Sequence, residues 1–548
     1  MKSILLSFTL CLSLNLFSQP LSTEEVKILD SLLMVDIPDG APGGAIGVIR
    51  NGEIVYENYA GLADLESGRT IDERTRFNLA SNGKQFTALA ILLLAEQDLL
   101  NIEDDIRKYL PELYPNISEP ITIQNLLTHT SGIREASTLW AFQGKIWWKH
   151  SFNNKDVRQI LSAQNDLNFE PGSEKSYCNS NYLLLTEIVE EVSGQSFQEF
   201  SDQMFAQLGM NATNFLSNHE DEVPNLARPY FNFDTWTTYE WLSDLHGDGA
   251  LFSTLADQLR WELIVQKAIP DQLSASILEE SQNPILAVTD YGYGLEGTEY
   301  AETPIRFHEG STGAWKASFR RFPTKNLSIV VVNNSGKFGT STLANRVANV
   351  LLELPQINPV YELGPGPEME LLDPEECLGT YLTGAYYFRF VELDAQLYLQ
   401  RPGRPDISIA TEGDGVFYEV TDPDFKMAFH ENEEGQRVVT AYYPTHHSFD
   451  LIETVEDYSH ITPEQIVGTY YNDEIGASIP VSHIGESTYQ FDLFGESMEG
   501  DLLTPNMIGV DGDEIELVFS EDSDKRVVEM LYHSGRVRNL RFKLQDTE

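Results

Sequence analysis

The sequence predicts an α+β fold: one antiparallel sheet flanked by helices, a helical lobe inserted between its strands, and C-terminal all-β, barrel-like repeats. Three observations carry this. Strand patterns open and close the first 354 residues, and helical patterns lie between them, as in a sheet whose chain leaves to build a lobe and then returns. A Pro- and Gly-rich stretch, 355–367, follows. Beyond it helix signals are scarce and the chain repeats: Pro374-Glu375-Glu376-Cys377-Leu378-Gly379-Thr380-Tyr381 returns 89 positions later as Pro463-Glu464-Gln465-Ile466-Val467-Gly468-Thr469-Tyr470.

Taken in order, Lys2 and the apolar run Ile4–Phe17 read as a secretory signal peptide ending at Ser18. The run is shorter than the ~20 apolar residues a membrane span needs. The expectation is a periplasmic or secreted protein without stable membrane insertion. Residues 19–354 form the first domain. An amphipathic helix covers 22–35, starting at Ser22-Thr23-Glu24-Glu25. Ala45–Arg50 and Glu53–Tyr59 flank Asn51-Gly52, whose residue types accept the positive φ of a tight hairpin. Helical patterns with an irregular middle run from 81 to 265. Strands return at Tyr291–Leu295, Ala317–Phe322 and Leu327–Asn333, with Pro323–Asn326 as a turn, and a helix closes the domain at Ser341–Leu354. After the linker, the repeats occupy 368–460 and 461–548. Short alternating runs of aromatic and β-branched residues fit two small antiparallel barrels or one larger lipocalin-like barrel.

The formal net charge is −49. Nucleic acids and anionic membranes, which need a Lys/Arg excess, are excluded as partners. The acidity fits either a solvated surface for a salty exterior or a field that draws in cationic substrates. Once the leader is removed only Cys178 and Cys377 remain, so no disulfide framework is expected. No His/Cys/Asp cluster has metal-ligand spacing, and neither a metal nor a cofactor is expected. No G-x-S-x-G is present, which removes the nucleophile elbow of α/β-hydrolases.

The chemistry sits in three motifs: Ser81-Asn82-Gly83-Lys84, Tyr177-Cys178-Asn179 and His308-Glu309-Gly310. A serine hydroxyl needs a neighbouring base, and residues three apart on a helix share a face, which puts Lys84 beside Ser81. A lysine can take the proton when burial or a neighbour disfavours its charge. Each motif alone is weak. An S-x-x-K match is expected about once by chance in a chain of this length. Y-x-N also occurs at Tyr230-Phe231-Asn232 and Tyr470-Tyr471-Asn472, and H-x-G at His483-Ile484-Gly485 and His533-Ser534-Gly535. Context separates them. Ser81 opens the helical run Gln85–Leu94, Tyr177 stands between the turn Phe169-Glu170-Pro171-Gly172 and the helix Tyr182–Val192, and His308 precedes a hairpin.

With two further phrases, Leu126-Leu127-Thr128-His129-Thr130-Ser131-Gly132 and Gly247-Asp248-Gly249-Ala250-Leu251-Phe252-Ser253-Thr254, the order of motifs resembles the serine β-lactamase and penicillin-binding-protein superfamily. The similarity is to its class C, esterase and D-aminopeptidase branch and runs from about Gly40 to Leu354. The resemblance implies a serine hydrolase with an acyl-enzyme on Ser81 and proton transfer shared by Lys84 and Tyr177. Asn179 would hold Lys84 and the substrate amide. The N–H groups of Ser81 and Ser311 would form an oxyanion hole beside His308 and Gly310. Paired C-terminal barrels resemble the layout of bacterial D-aminopeptidases. His308 stands where penicillin-binding relatives commonly have a carboxylate-binding lysine, and histidine is a weaker, pH-dependent cation. Small esters, amides or short D-amino-acid peptides are therefore the expected substrates. A β-lactamase or D,D-peptidase and a non-turnover penicillin-binding sensor are the alternatives, and the oligomeric state stays open. Cys178 as a second nucleophile, His129 as a triad histidine, and Trp140, Trp147 and Trp148 as an acyl pocket are weaker readings of the same region. Glu309 would favour a cationic substrate if it faced the cleft, but strand alternation can turn it away.

Overall fold

The computed structural model describes residues 20–35, 37–233, 235–286, 289–354, 378–400, 406–411, 416–420, 425–443, 446–454, 461–521 and 525–545. The expected leader, the linker and Cys377 lie outside these residues.

Eight antiparallel strands form the central sheet. They are β1 (Gly44–Arg50), β2 (Glu53–Ala60), β3 (Pro284–Leu286), β4 (Thr289–Gly292), β5 (Glu296–Tyr300), β6 (Thr303–Thr312), β7 (Trp315–Phe322) and β8 (Leu327–Asn333). In space they run β3-β4-β5-β6-β7-β8-β1-β2, so the N-terminal hairpin adds to the edge of a C-terminal meander through the β1–β8 pairing, Gly44↔Asn333 to Arg50↔Leu327. Asn51 and Gly52 have φ of 53° and 78°, the left-handed pair that a tight β-hairpin requires. β1 is buried along nearly its whole length because both faces are covered. Ile46 and Val48 pack with Leu29 and Leu33 of α1 (Thr23–Met34) and with Leu343 and Val347 of the closing helix Thr340–Leu351. Ala45 and Ile49 face the helical lobe. Ser22 caps α1 through reciprocal bonds with Glu25, a capping box.

Between β2 and β3 the chain builds the lobe around α2 (Lys84–Glu96), whose residues are buried almost all round, as a helix enclosed in a core must be. The helix α3 (Asn179–Ser193) packs along it. Behind α2 lies a buried polar knot. Arg321 of β7 donates to both carboxylate oxygens of Glu262, at 2.7 and 2.9 Å, and to Gln85 Oε1 at 2.8 Å, which also accepts from Trp261 Nε1 at 2.7 Å. The fork of a guanidinium satisfies two carboxylate oxygens and an amide at once, which is what lets the charge stay inside.

The C-terminal part closes into two eight-stranded antiparallel barrels, Gly379–Thr454 and Gly468–Leu544. The choice between one barrel and two thus falls on two. Their first strands begin at Gly379 and Gly468, the spacing of the sequence repeat. The first barrel has its own apolar core. The second shares a continuous core with the helical lobe.

Candidate active site

The three motifs converge where the lobe meets the sheet. Ser81 lies in a 3-10 turn, Ala80–Gly83, rather than in the α-helix proper, which starts at Lys84. Ala80 takes a positive φ of 49°, an uncommon conformation for a residue with a Cβ, and its N–H is held by Asn78 Oδ1 at 2.9 Å. The turn packs against β6, and Gly310 permits that approach. A Cβ there would stand 2.2 Å from the carbonyl oxygen of Leu79.

Lys84 is fully buried, and its Nζ has three acceptors: Ser81 Oγ at 3.0 Å, Asn179 Oδ1 at 2.9 Å and the carbonyl of Asp248 at 2.6 Å. These three polar partners fix the position of Nζ beside Ser81. Asn179 is the first residue of α3, where its own N–H donates to Glu135 Oε2 at 2.9 Å. Tyr177 meets Lys84 through its ring, 4.9 Å from Nζ, with no hydrogen bond between them. The rings of His129, Tyr291 and His308 surround it, with centroids at 4.4, 6.0 and 6.2 Å.

His308 is buried. Its Nδ1 lies 2.6 Å from the carbonyl oxygen of Glu309, which can only accept, and its Nε2 lies 2.9 Å from the Tyr291 hydroxyl. The Nδ1 contact requires a proton on Nδ1, and Nε2 shares its hydrogen bond with the Tyr291 hydroxyl. Ser311 sits within β6, opposite Lys316, rather than just after the strand. Glu309 turns away from the cleft, where it pairs with Arg320 and accepts from Ser318 and Ser341 at 3.1 Å each. It therefore offers nothing to a cationic substrate.

Burial pushes the Cys178 thiol up to about 12, which removes thiolate chemistry near neutrality. His129 is buried and held neutral, chiefly by desolvation and then by the nearby Lys84 charge. Its Nδ1 faces the Cys178 N–H and the Asn181 amide, each at 3.2 Å. It props the loop that carries Tyr177. Trp140 stacks on Phe152 at 3.9 Å inside the lobe, whereas Trp147 and Trp148 are exposed.

Several groups at the site were not singled out from sequence. The Asp248 carbonyl belongs to a recognised phrase, but nothing in the phrase says that its backbone faces Lys84. Glu135, buried under the Asn179 N–H, has no local signal. Arg536 comes from the second barrel, with its guanidinium carbon 5.2 Å from the centroid of the Tyr177 ring. It follows His533-Ser534-Gly535, one of the H-x-G copies set aside because it lies far from the other motifs in the chain.

A family model described as Beta-lactamase matches residues 33–352, and the chain belongs to that family. Among curated proteins it is 28% identical over 332 residues to Protein flp of Staphylococcus aureus strain MW2, a match covering 57% of this chain and 64% of that protein. It is 26% identical over 355 residues to a D-aminopeptidase of Gluconobacter oxydans, covering 62% and 63% respectively. The chain thus spans somewhat less than two thirds of these relatives' own length. The octameric penicillin-binding protein homologue of Pyrococcus abyssi has a similar fold, with a TM-score of 0.55 at 23% identity, covering 79% of this chain and all of that one.

Proposed function

We propose that this protein is an exported serine hydrolase that forms an acyl-enzyme on Ser81 with small esters, amides or D-amino-acid peptides. The observation that carries the reading is the buried Lys84 Nζ poised 3.0 Å from Ser81 Oγ and locked there by Asn179 and the Asp248 carbonyl. In this reading Ser81 Oγ attacks the substrate carbonyl carbon as its proton passes to the basic member of the Lys84–Tyr177 pair: a neutral Lys84 amine, which keeps two N–H donors for Asn179 and Asp248 and turns its lone pair to Ser81, or a Tyr177 phenolate. The tetrahedral oxyanion is met by the N–H groups of Ser81 and Ser311. The leaving group departs with a proton returned by the same pair, and water then releases the acyl group by the reverse sequence. The similarity to a D-aminopeptidase supports amides and peptides as substrates, and the apolar leader in the sequence supports export. His308, with both ring nitrogens engaged inside the protein, argues against substrate-carboxylate binding through the third motif.

The test is turnover of p-nitrophenyl esters and D- and L-amino-acid p-nitroanilides, with fluorophosphonate labelling, for the mature chain and Ser81→Ala. The variant is expected to lose labelling and at least ~10³-fold in turnover, in line with removal of a nucleophile. Labelling retained at full strength would overturn the assignment. Stable acylation without turnover would favour the sensor alternative.

A further inference from the structure

We propose that Arg536 is a specificity-determining residue, delivered by the second barrel to the active-site mouth, and that it selects substrates carrying a carboxylate near the scissile bond. The inference rests on the serine-hydrolase reading above and adds the chemical class of its substrate.

The loop between strands Val527–His533 and Leu540–Leu544 of the second barrel is fixed to the lobe residue by residue. Ser176 Oγ donates to the Gly535 carbonyl at 3.0 Å. The Arg536 carbonyl accepts from Asn168 Nδ2 at 3.0 Å and from the Glu135 N–H at 3.3 Å. The Arg538 N–H donates to Asn168 Oδ1 at 2.7 Å, and the buried Arg134 donates to the carbonyls of Arg538 and Asn539 at 3.1 and 3.2 Å. So many anchors on one short loop fix the backbone that carries Arg536 beside Tyr177, which lowers the ordering cost of recognition there.

The cations around Tyr177 differ in what they have left to give. Lys84 Nζ is held by its three polar partners. Lys175 is paired with Asp290 at 2.8 Å and lies 4.0 Å from Glu296. Arg536 has five donors and, among the described residues, one carboxylate within reach, Glu135 at 3.5 Å, which already accepts from the Asn179 N–H and stands 3.5 Å from the Ser180 hydroxyl. Its side chain remains 44% exposed. Lys84 and Arg536 both stand against the Tyr177 ring, at 4.9 and 5.2 Å, so an acyl group on Ser81 and an anion on Arg536 can belong to one small molecule. A planar guanidinium is suited to a two-point hold on a carboxylate. In a chain of net charge −49, a local cation at the mouth is also what allows an anionic substrate to be retained.

The experiment measures kcat and KM for matched ester pairs: phenyl succinate against phenyl butyrate, which varies the acyl side, and 3-acetoxybenzoate against phenyl acetate, which varies the leaving group. The protein is the full chain with Arg536, Arg536→Lys, Arg536→Gln or Arg536→Ala. The native chain is expected to prefer the carboxylate in at least one pair. Arg536→Ala and Arg536→Gln should lose about tenfold or more on that member relative to its neutral partner, mainly in KM, as expected for a lost charge-assisted contact. Arg536→Lys should keep part of the preference. The pair that responds identifies which side of the substrate bears the charge. No charge preference in the native chain, or equal losses on both members, would overturn the inference while leaving Ser81 chemistry intact. Turnover that survives Ser81→Ala would instead overturn the underlying reading. Should Arg536→Ala fail to label fully with fluorophosphonate, Arg536→Gln and Arg536→Lys carry the comparison.

Discussion

The two C-terminal barrels share a strand count, a closed antiparallel topology and an aligned first strand, yet they stand in different relations to the hydrolase domain. The second is built into it. Phe142 of the lobe lies 4.8, 4.8 and 5.1 Å, centroid to centroid, from Phe494, Tyr532 and Phe542 of the barrel, and the loop bearing Arg536 reaches Tyr177. The first barrel packs Tyr381, Phe390, Phe417 and Phe429 in an interior of its own. It meets the second through Arg389 and Asp501 at 2.9 Å and through Glu514, whose Oε1 accepts from the N–H groups of Thr383 and Gly384 at 3.3 Å. Part of the difference is a connection. The last two strands of the second barrel are separated by residues 534–539, whereas Arg437–Tyr443 and His446–Thr454 of the first stand two residues apart. The same scaffold either builds directly into the lobe, through one loop and the apolar face beneath it, or packs on that loop from outside: Tyr386 of the first barrel stands so close to Gly535 that a Cβ there would meet its hydroxyl.

The comparison can be broken most forcefully at its aromatic cores. Phe142→Ala and Phe429→Ala each remove a buried ring and are expected to cost ~3–5 kcal/mol, read by chemical denaturation. Their effects on activity should separate. The first loosens the barrel that carries Arg536 and lowers turnover severalfold, whereas the second leaves turnover within about twofold. Equal activity losses would mean that the first barrel also supports the cleft.

The seam between the barrels supplies a pH test. Burial raises the Glu514 carboxyl from the ordinary 4.5 to about 7, so the folded seam holds a proton that the unfolded chain releases. Its contribution is full below about pH 4.5, falls as pH rises towards 7 and is flat above that. The barrel unfolding transition should therefore drop in temperature between pH 5 and 7.5, and Glu514→Gln should flatten that slope. An unchanged slope in the variant would place the proton elsewhere. The smallest effect is expected at Arg437 in the first barrel, whose 3.2 Å pair with Glu453 is partly exposed. Arg437→Ala should change stability by ~0–1 kcal/mol and leave activity alone, which a melting curve and an ester assay together would check.

Much of this was readable before any coordinates. Hairpin β1–β2 follows from Asn51-Gly52 between two apolar runs, α1 from the amphipathic run that opens at Ser22, and the barrel spacing from the repeat at Pro374 and Pro463, because each signal is local and recurs at the period of the element it makes. The Ser81–Lys84 contact was legible for the same reason, since three residues make one helical turn. The 3-10 geometry at Ser81 was not, because the turn packs against β6, more than 200 positions away.

Sequence by itself determined the elements, the family and the set of groups available for chemistry, since helix periodicity, turn residues and motif order are written within short windows. Tertiary structure alone decided which of those groups meet. It turned Glu309 towards Arg320 and out of the cleft, brought the Asp248 carbonyl to Lys84, and placed Arg536 of the distant repeat on the Tyr177 ring. The physical reason is that such contacts are set by packing between surfaces far apart in the chain, where the energy lies in buried area and matched donors rather than in any local preference of the backbone.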